Sequence, residues 1–384
     1  MNIGIDARTL LENYYSGVNF YTFNLLKNLF ELDRENQYRL FSNSFKNKDG
    51  LKIFKNYPKV KNRHFNRPNK FLNFSFTFLN FPKINRLLGG IDLFFLPNIN
   101  FLAIDRKVPL ITTIYDLSFE RYPEFYSRKS NLWHKIINPP KLLKQSQKII
   151  TISECSKKDL IELYKIPAEK IEIIYPAVTE EFQPLSKNDE KLFRVKQKYN
   201  LPENFILYLG NLEPRKNIEG LIQSFEEFCK NYQDKLGSDL FLIIAGQAAW
   251  KYQTIFKLAE KSVKREKIKF LGYVEESDKP ALYNLAKIFV YLSFYEGFGL
   301  PPLEAMACGT PVVTSANSSL PEVVGDGGLL VNPYKLNELS DAFYQLLADE
   351  SLAKILRERG LAQAKKFSWP KSAGKLLAIF NSFS

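Results

Sequence analysis

Residues 293–311 read Ser293-Phe294-Tyr295-Glu296-Gly297-Phe298-Gly299-Leu300-Pro301-Pro302-Leu303-Glu304-Ala305-Met306-Ala307-Cys308-Gly309-Thr310-Pro311. A β-rich apolar run, Ile288–Leu292, leads into them, and another, Pro311–Thr314, follows. Pro302 suits the first turn of a helix and Gly309 suits its end, so the spacing predicts a short helix of about two turns between two strands. Strand, loop, helix, strand is the repeating unit of a parallel sheet, and its loop falls at the carboxyl end of the first strand.

The same order extends outward from this stretch. Towards the N-terminus come strand-like runs at Phe205–Leu209, Leu240–Ala245 and Ile268–Leu271, with helical patterns at Ile218–Phe228 and Tyr252–Val263. Further back, Ile3–Asp6, Tyr38–Phe41, Ile91–Leu96, Leu110–Tyr115, Ile149–Ser153 and Ile171–Tyr175 alternate with helical spacing. Val18, Tyr21, Leu25, Leu29 and Leu32 form one such helix, opened by Ser16-Gly17, and Ser156 with Asp159 reads as a capping box opening another. Helical patterns near 336–347, 352–364 and 372–380 close the chain. The alternation lapses between Thr179 and Pro202, a polar, charged stretch with Pro184 and Pro202 near its ends, which reads as a linker. The expectation is an α/β protein of two Rossmann-like domains, residues 1–185 and 202–366, with a last helical segment, 367–384. Ligands of such folds bind outside the carboxyl ends of the strands, in a cleft.

Composition agrees. At 384 residues the chain is long enough for two or three domains, and 45% hydrophobic with 25% charged residues is ordinary for a folded globular protein. No run of about 18 apolar residues occurs, and Met1–Leu10 reads as a strand carrying Asp6 and Arg8 rather than as a signal peptide. Cys155, Cys229 and Cys308 are odd in number and far apart, which argues against a disulfide framework and fits a reducing cytoplasm. His64 and His134 have no cysteine or carboxylate at metal-ligand spacing, so no metal site and no cofactor are expected. The formal charge of +13 is uneven: residues 46–86 hold eleven Lys/Arg against one acid, Asp49, together with Phe65, Phe71, Phe74, Phe76, Phe78 and Phe81. Two readings stay open there, peripheral association with an anionic membrane surface and a solvated basic loop beside a core-facing aromatic helix. No binding motif accompanies the charge, so nucleic acid is not expected.

Chemistry concentrates just after the strands. Gly297 and Gly299 permit a loop whose amides approach a ligand, and the helix behind it aims a partial positive charge at an oxyanion such as a diphosphate. Glu296 and Glu304, with seven residues between them, bracket that loop. A carboxylate accepts two hydrogen bonds at once and so suits vicinal sugar hydroxyls, each charged bond contributing roughly 1.5–3 kcal/mol. Arg215 and Lys216 follow the strand Phe205–Leu209 and suit a leaving diphosphate.

Tyr295-Glu296-Gly297-Phe298-Gly299-Leu300-Pro301, the Glu-to-Glu spacing and the following Ala-Met-Ala-Cys-Gly-Thr-Pro-Val-Val resemble the signature of the GT4-type retaining glycosyltransferases, which have the GT-B fold. Gly210-Asn211-Leu212-Glu213-Pro214-Arg215-Lys216-Asn217 resembles a second segment of that family. The resemblance spans nearly the whole chain and is thinnest over 46–86. It implies that Glu296, with the loop residues Phe298, Gly299 and Leu300, holds the donor sugar. Glu304 then binds the ribose, and Arg215 and Lys216 bind the diphosphate. Gly210, Gly246 and Val274 face the nucleotide, Val274 through its backbone. Gly17 lies near the donor phosphate and the acceptor. The C-terminal helix returns to the N-terminal, acceptor-side domain.

In Thr113-Ile114-Tyr115-Asp116-Leu117-Ser118-Phe119 the family often has a His before the Asp; here Tyr115 stands there, which puts acid/base chemistry at that position in doubt and leaves Asp116 as a candidate for contacting sugar or acceptor. The implied activity is retaining, metal-independent transfer of a hexose from a GDP- or UDP-linked donor to a glycan or lipid-linked acceptor in cell-envelope polysaccharide synthesis. Rival readings are a nucleotide-sugar epimerase of the same architecture, a glycoside hydrolase using the two glutamates, and a non-catalytic nucleotide-sugar-binding protein.

Overall fold

The computed structural model describes residues 1–11, 16–45, 51–236 and 239–384. Residues 46–50, the start of the basic stretch, lie outside the described residues. The chain divides into two compact units, one of Met1–Pro176 with Ser368–Ser384 and one of Ala177–Phe367.

The first unit is built on β1 (Asn2–Asp6), β2 (Gln37–Asn43), β3 (Val60–Phe65), β4 (Leu93–Leu96), β5 (Leu110–Thr113), β6 (Lys148–Thr151) and β7 (Ile171–Ile173). They form one sheet in the order β3-β2-β1-β4-β5-β6-β7, parallel throughout. β4 and β5 are buried along their whole length, as expected of strands covered on both faces. The C-terminal helix Trp369–Asn381 belongs to this unit. Its Trp369 ring meets Phe20 and Tyr21 of the helix Gly17–Leu32, at 5.9 and 5.7 Å between centroids, and Phe380 meets Phe95 of β4 at 5.6 Å.

The second unit carries β8 (Phe205–Leu209), β9 (Phe241–Ala245), β10 (Ile268–Gly272), β11 (Ile288–Tyr291), β12 (Val312–Ser315) and β13 (Gly328–Val331) in the order β10-β9-β8-β11-β12-β13. This sheet is parallel as well. The strand order reverses between β8 and β11, the place where open parallel sheets leave a crevice for ligands.

Four features differ from the sequence reading. The stretch 179–202, read as a linker, lies in the second unit, as do residues 177–185, read as the end of the first domain. It includes a helix, Glu190–Lys198, capped by Asp189 and tied to the body of the unit through Asp278. That buried carboxylate accepts from Lys198 Nζ at 2.6 Å and Tyr199 Oη at 3.0 Å, so charges that suggested a solvated linker are spent on docking a helix. The helix after β6 runs Glu154–Tyr164 and is capped by Ser153, whose hydroxyl accepts from the Ser156 amide at 3.1 Å; Ser156 is not the cap. Two edge strands, β3 and β13, have no counterpart among the strand-like runs of the sequence. β3 is too basic to read as a strand, although charge is a usual protection for an edge. β13 follows directly on Gly325-Asp326-Gly327, whose glycines read as a turn rather than as the start of a strand.

Candidate active site

β8 and β11 flank the reversal in the second sheet, and the loops leaving them converge. After β8 the chain makes one 3-10 turn, Pro214–Lys216, and Asn217 takes up the left-handed conformation that starts the helix Ile218–Asn231. This presents Arg215 and Lys216 to the loop after β11. Lys216 Nζ donates to Glu296 Oε1 at 2.6 Å and to the Tyr291 hydroxyl at 2.6 Å. Arg215 Nη1 donates to the other Glu296 oxygen at 3.0 Å and to the Tyr295 carbonyl at 2.7 Å, while its Nη2 reaches Glu213 at 2.8 Å. All four charged side chains are buried or nearly so. Burial pushes the Glu296 carboxyl up, but the charges of Arg215 and Lys216 outweigh it and hold the group down at about 2. Lys216 is pulled below its ordinary range, first by burial and then by the Arg215 charge, against the opposing pull of Glu296.

The loop itself is held from behind. Ser318, at a φ of 53°, accepts from the Glu296 amide at 3.0 Å. Ser319 donates to the carbonyls of Glu296 and Phe298, at 2.9 and 2.6 Å. Gly299 has a φ of 114°, and a Cβ there would lie 2.6 Å from Leu320 Cδ2, so only glycine fits. The helix that follows spans Leu300–Ala307, with Pro302 in its first turn as expected, and Gly309 lies just past its end at a φ of 74°. Glu304 lies on this helix and accepts from the Tyr283 hydroxyl at 2.7 Å. Burial raises its carboxyl above the ordinary range, opposed by Lys279 and Tyr283. The two glutamates thus differ: the cations beside Glu296 favour its ionised form, whereas burial disfavours the ionised form of Glu304.

On the other side of β8, an open pocket of about 410 Å³ is lined by Leu212, Gly246, Gln247, Ala248, Phe256, Phe270, Gly272 and Tyr273. Gly246, at a φ of 140°, packs so closely that a Cβ would sit 1.9 Å from the Gly210 carbonyl oxygen. Val274 is buried just beyond this pocket.

The remaining expected residues belong to the first unit. Ser16 caps the helix Gly17–Leu32 through the Asn19 amide, and among the described residues a Cβ on Gly17 would meet nothing within 4 Å, so none of these calls for glycine. Tyr115 Oη donates to the Pro97 carbonyl at 3.0 Å and lies 3.1 Å from the Thr22 hydroxyl, tying the segment after β5 to the start of that helix. Burial pushes the Tyr115 phenol up, away from neutral titration. Asp116 accepts from the Ser118 amide at 2.9 Å and the Ser118 hydroxyl at 2.5 Å, which orders the turn. A second open pocket, about 160 Å³, is lined by Arg8, Leu11, Asn43, Ser44, Asn69, Asn73 and Asn100, near the carboxyl ends of β1, β2 and β4. Among the described residues no cluster of three or more His, Cys, Asp or Glu side chains is placed to hold a metal ion.

The structure therefore brings together Arg215, Lys216 and Glu296, and separately Gly210 with Gly246. It adds Glu213, Tyr291, Ser318 and Ser319, to which the sequence reading gave no role. Glu213 lies in a quoted motif, but Tyr291 reads as strand core and Asn317-Ser318-Ser319 as an ordinary polar loop.

Two parallel-sheet Rossmann-like units with this charged constellation at a strand-order reversal define a GT-B protein. Residues 189–363 match the family model described as glycosyl transferases group 1, and residues 15–182 match the model described as glycosyltransferase family 4. The chain is 38% identical over 271 residues to the O-antigen chain mannosyltransferase B of Escherichia coli, covering 70% of this chain and 69% of that one. It belongs to this glycosyltransferase family. Among solved structures it is similar to sucrose-phosphate synthase from Thermosynechococcus elongatus, with a TM-score of 0.76 at 20% identity, covering 99% of this chain and 98% of that one. It is similar also to Anabaena HepE in complex with UDP and glucose, with a TM-score of 0.75 at 18% identity over the whole of both chains.

Proposed function

We propose that the chain transfers a hexose, with mannose the first candidate, from a nucleotide diphosphate sugar to a glycan or lipid-linked acceptor in cell-envelope polysaccharide synthesis. Anomeric configuration is retained, and no metal or other cofactor takes part. The observation that carries this reading is the buried constellation of Glu296 between Arg215 and Lys216 at the reversal of the second sheet. The similarity to an Escherichia coli mannosyltransferase supports the sugar, and the similarity to HepE solved with UDP and glucose supports a nucleotide-sugar donor.

Breaking a sugar–diphosphate bond leaves an electron-poor sugar beside a departing anion, and the site has a group for each. The diphosphate competes with Glu296 for Arg215 and Lys216. Glu296, ionised throughout the neutral range, is then available to the hydroxyls of the sugar, and Glu304 to those of the ribose. The loop of Phe298, Gly299 and Leu300 offers amides beside them, and Gly210, Gly246 and Val274 border the nucleotide. On the acceptor side, Gly17 leaves room for a close approach, Asp116 is a candidate contact, and the asparagine-lined pocket suits a saccharide, since each carboxamide both donates and accepts. Tyr115 acts as a strut, not as an acid or base. With the leaving phosphate itself taking the acceptor's proton, attack from the face it vacates needs no further base, which accords with retention.

The test is incubation of the purified protein with GDP-mannose or UDP-glucose and candidate acceptor glycans, following nucleotide diphosphate release, product anomer and the effect of a chelator. Release only when an acceptor is present, a retained anomer and full activity with chelator are expected. Release of free sugar without acceptor points instead to the epimerase reading, and no release with any donor to a non-catalytic binding protein.

A further inference from the structure

The basic, phenylalanine-rich stretch was ambiguous in sequence, and the structure separates its two faces. Asn69–Phe74 is α-helical and continues through Ser75–Leu79 as one π-helical segment. Leu72 and Phe76 point into the core of the first unit, each 2% exposed. The opposite face is bare: Phe71, Phe74 and Phe78, spaced i, i+3 and i+7, are 61%, 55% and 68% exposed, and Leu79 and Phe81 beside them 62% and 64%. The rings of Phe74 and Phe78 pack on each other at 4.9 Å. A folded surface rarely spends five large apolar side chains this way without something to cover them.

Charge identifies the cover. From 51 to 90 the chain holds nine Lys/Arg and no Asp or Glu, and Arg67 and Lys70, just before Phe71 in the chain, are exposed. Docking against the same face of a second copy would press like charges together. An anionic lipid surface satisfies both halves at once, with rings in the acyl boundary and cations among the headgroups.

We propose that the helix face of Phe71, Phe74 and Phe78, with Leu79 and Phe81, docks the protein peripherally on an anionic bilayer. No helix among the described residues is long and apolar enough to cross a membrane, so this contact lies on the surface. Asn69 and Asn73 of the same helix line the polar pocket of the first unit, which docking would carry to the headgroup level. The inference stands apart from the donor chemistry: loss of nucleotide binding leaves it untouched.

The test is co-sedimentation of the full chain with phosphatidylcholine vesicles and with vesicles containing about 30% phosphatidylglycerol. The wild type is expected to bind only the anionic vesicles, and to release in high salt. The triple variant F71S/F74S/F78S is expected to lose binding by about tenfold or more, with melting temperature and nucleotide diphosphate binding unchanged. The charge reversal R67E/K70E should abolish the preference for anionic lipid. Equal binding by the triple variant, or a wild type that stays in the supernatant with both vesicles, overturns the proposal. So does a concentration-dependent dimer that the triple variant abolishes, which would assign the face to a second copy.

Discussion

Lys216 Nζ sits 2.6 Å from Glu296 Oε1 across eighty residues of sequence, and Arg215 Nη1 sits 3.0 Å from the other oxygen of the same carboxylate. One buried anion therefore holds two cations in place. Removing Glu296 leaves Lys216 without this buried counter-charge, and removing Lys216 leaves Glu296 to Arg215 alone; breaking a buried ion pair in other proteins costs about 3–5 kcal/mol. Lys216→Ala is thus expected to lower stability as well as transfer. Glu296→Gln keeps the shape of the side chain and should lose activity by about a hundredfold or more while remaining folded. Steady-state transfer rates beside chemical denaturation of both variants check this. A Glu296→Gln variant that turns over normally would remove Glu296 from the sugar.

Acid should act on the same pair. The Glu296 carboxyl is held at about 2 in the folded chain against an ordinary 4.5. A depressed carboxyl contributes stability above its unfolded value and loses it as pH falls through the folded one. Wild-type stability should therefore fall between about pH 4.5 and pH 2 more steeply than that of Glu296→Gln. Denaturation midpoints across that window decide it, and parallel curves would count against a locked, ionised Glu296.

Glu304 predicts the opposite sign. Burial raises its carboxyl above the ordinary range, so the charged form at neutral pH is a burden on the folded state, and that burden grows as pH rises through the raised value. Glu304→Gln still accepts the Tyr283 hydrogen bond. It should raise the melting temperature of the ligand-free protein at neutral pH while weakening nucleotide diphosphate binding by about tenfold, from the loss of a charged hydrogen bond. Differential scanning calorimetry with and without nucleotide diphosphate measures both. A destabilised variant with unchanged binding would contradict both halves.

How far the sequence carries can be judged at particular residues. β8 and β11 are legible because strands buried on both faces are unbroken apolar runs, and Gly309 marks its helix end because its φ of 74° favours glycine. Arg215, Lys216 and Glu296 are legible as motif members, but not as one ion-paired cluster, because local periodicity carries no information about contacts between distant loops. Ser318 hides for a related reason: a serine at positive φ looks like any loop serine. The helix Asn69–Phe74 and its continuation are apolar on both faces, and spacing alone gives which side chains share a face without telling which face meets the core. Asp278 shows the converse error, since a buried carboxylate that collects Lys198 and Tyr199 turns an apparent linker into a packed helix.

Two glycines that look alike in sequence should respond differently to the same methyl group. At Gly246 a Cβ would lie 1.9 Å from the Gly210 carbonyl oxygen, at a φ of 140° that alanine rarely adopts. Gly246→Ala must push β9 from β8 at the border of the candidate nucleotide pocket, and should cost about 1–3 kcal/mol or more. At Gly17 a Cβ meets nothing within 4 Å among the described residues, and φ lies outside the left-handed region. Gly17→Ala should leave stability unchanged or improve it slightly, since alanine is the better helix former by about 1 kcal/mol. If donor or acceptor approaches that backbone, however, the methyl occupies its space and transfer falls. Melting temperature and transfer rate measured on both variants separate the two cases. A Gly17→Ala protein as active as the wild type would reduce Gly17 to a turn residue and move the acceptor elsewhere on the first unit.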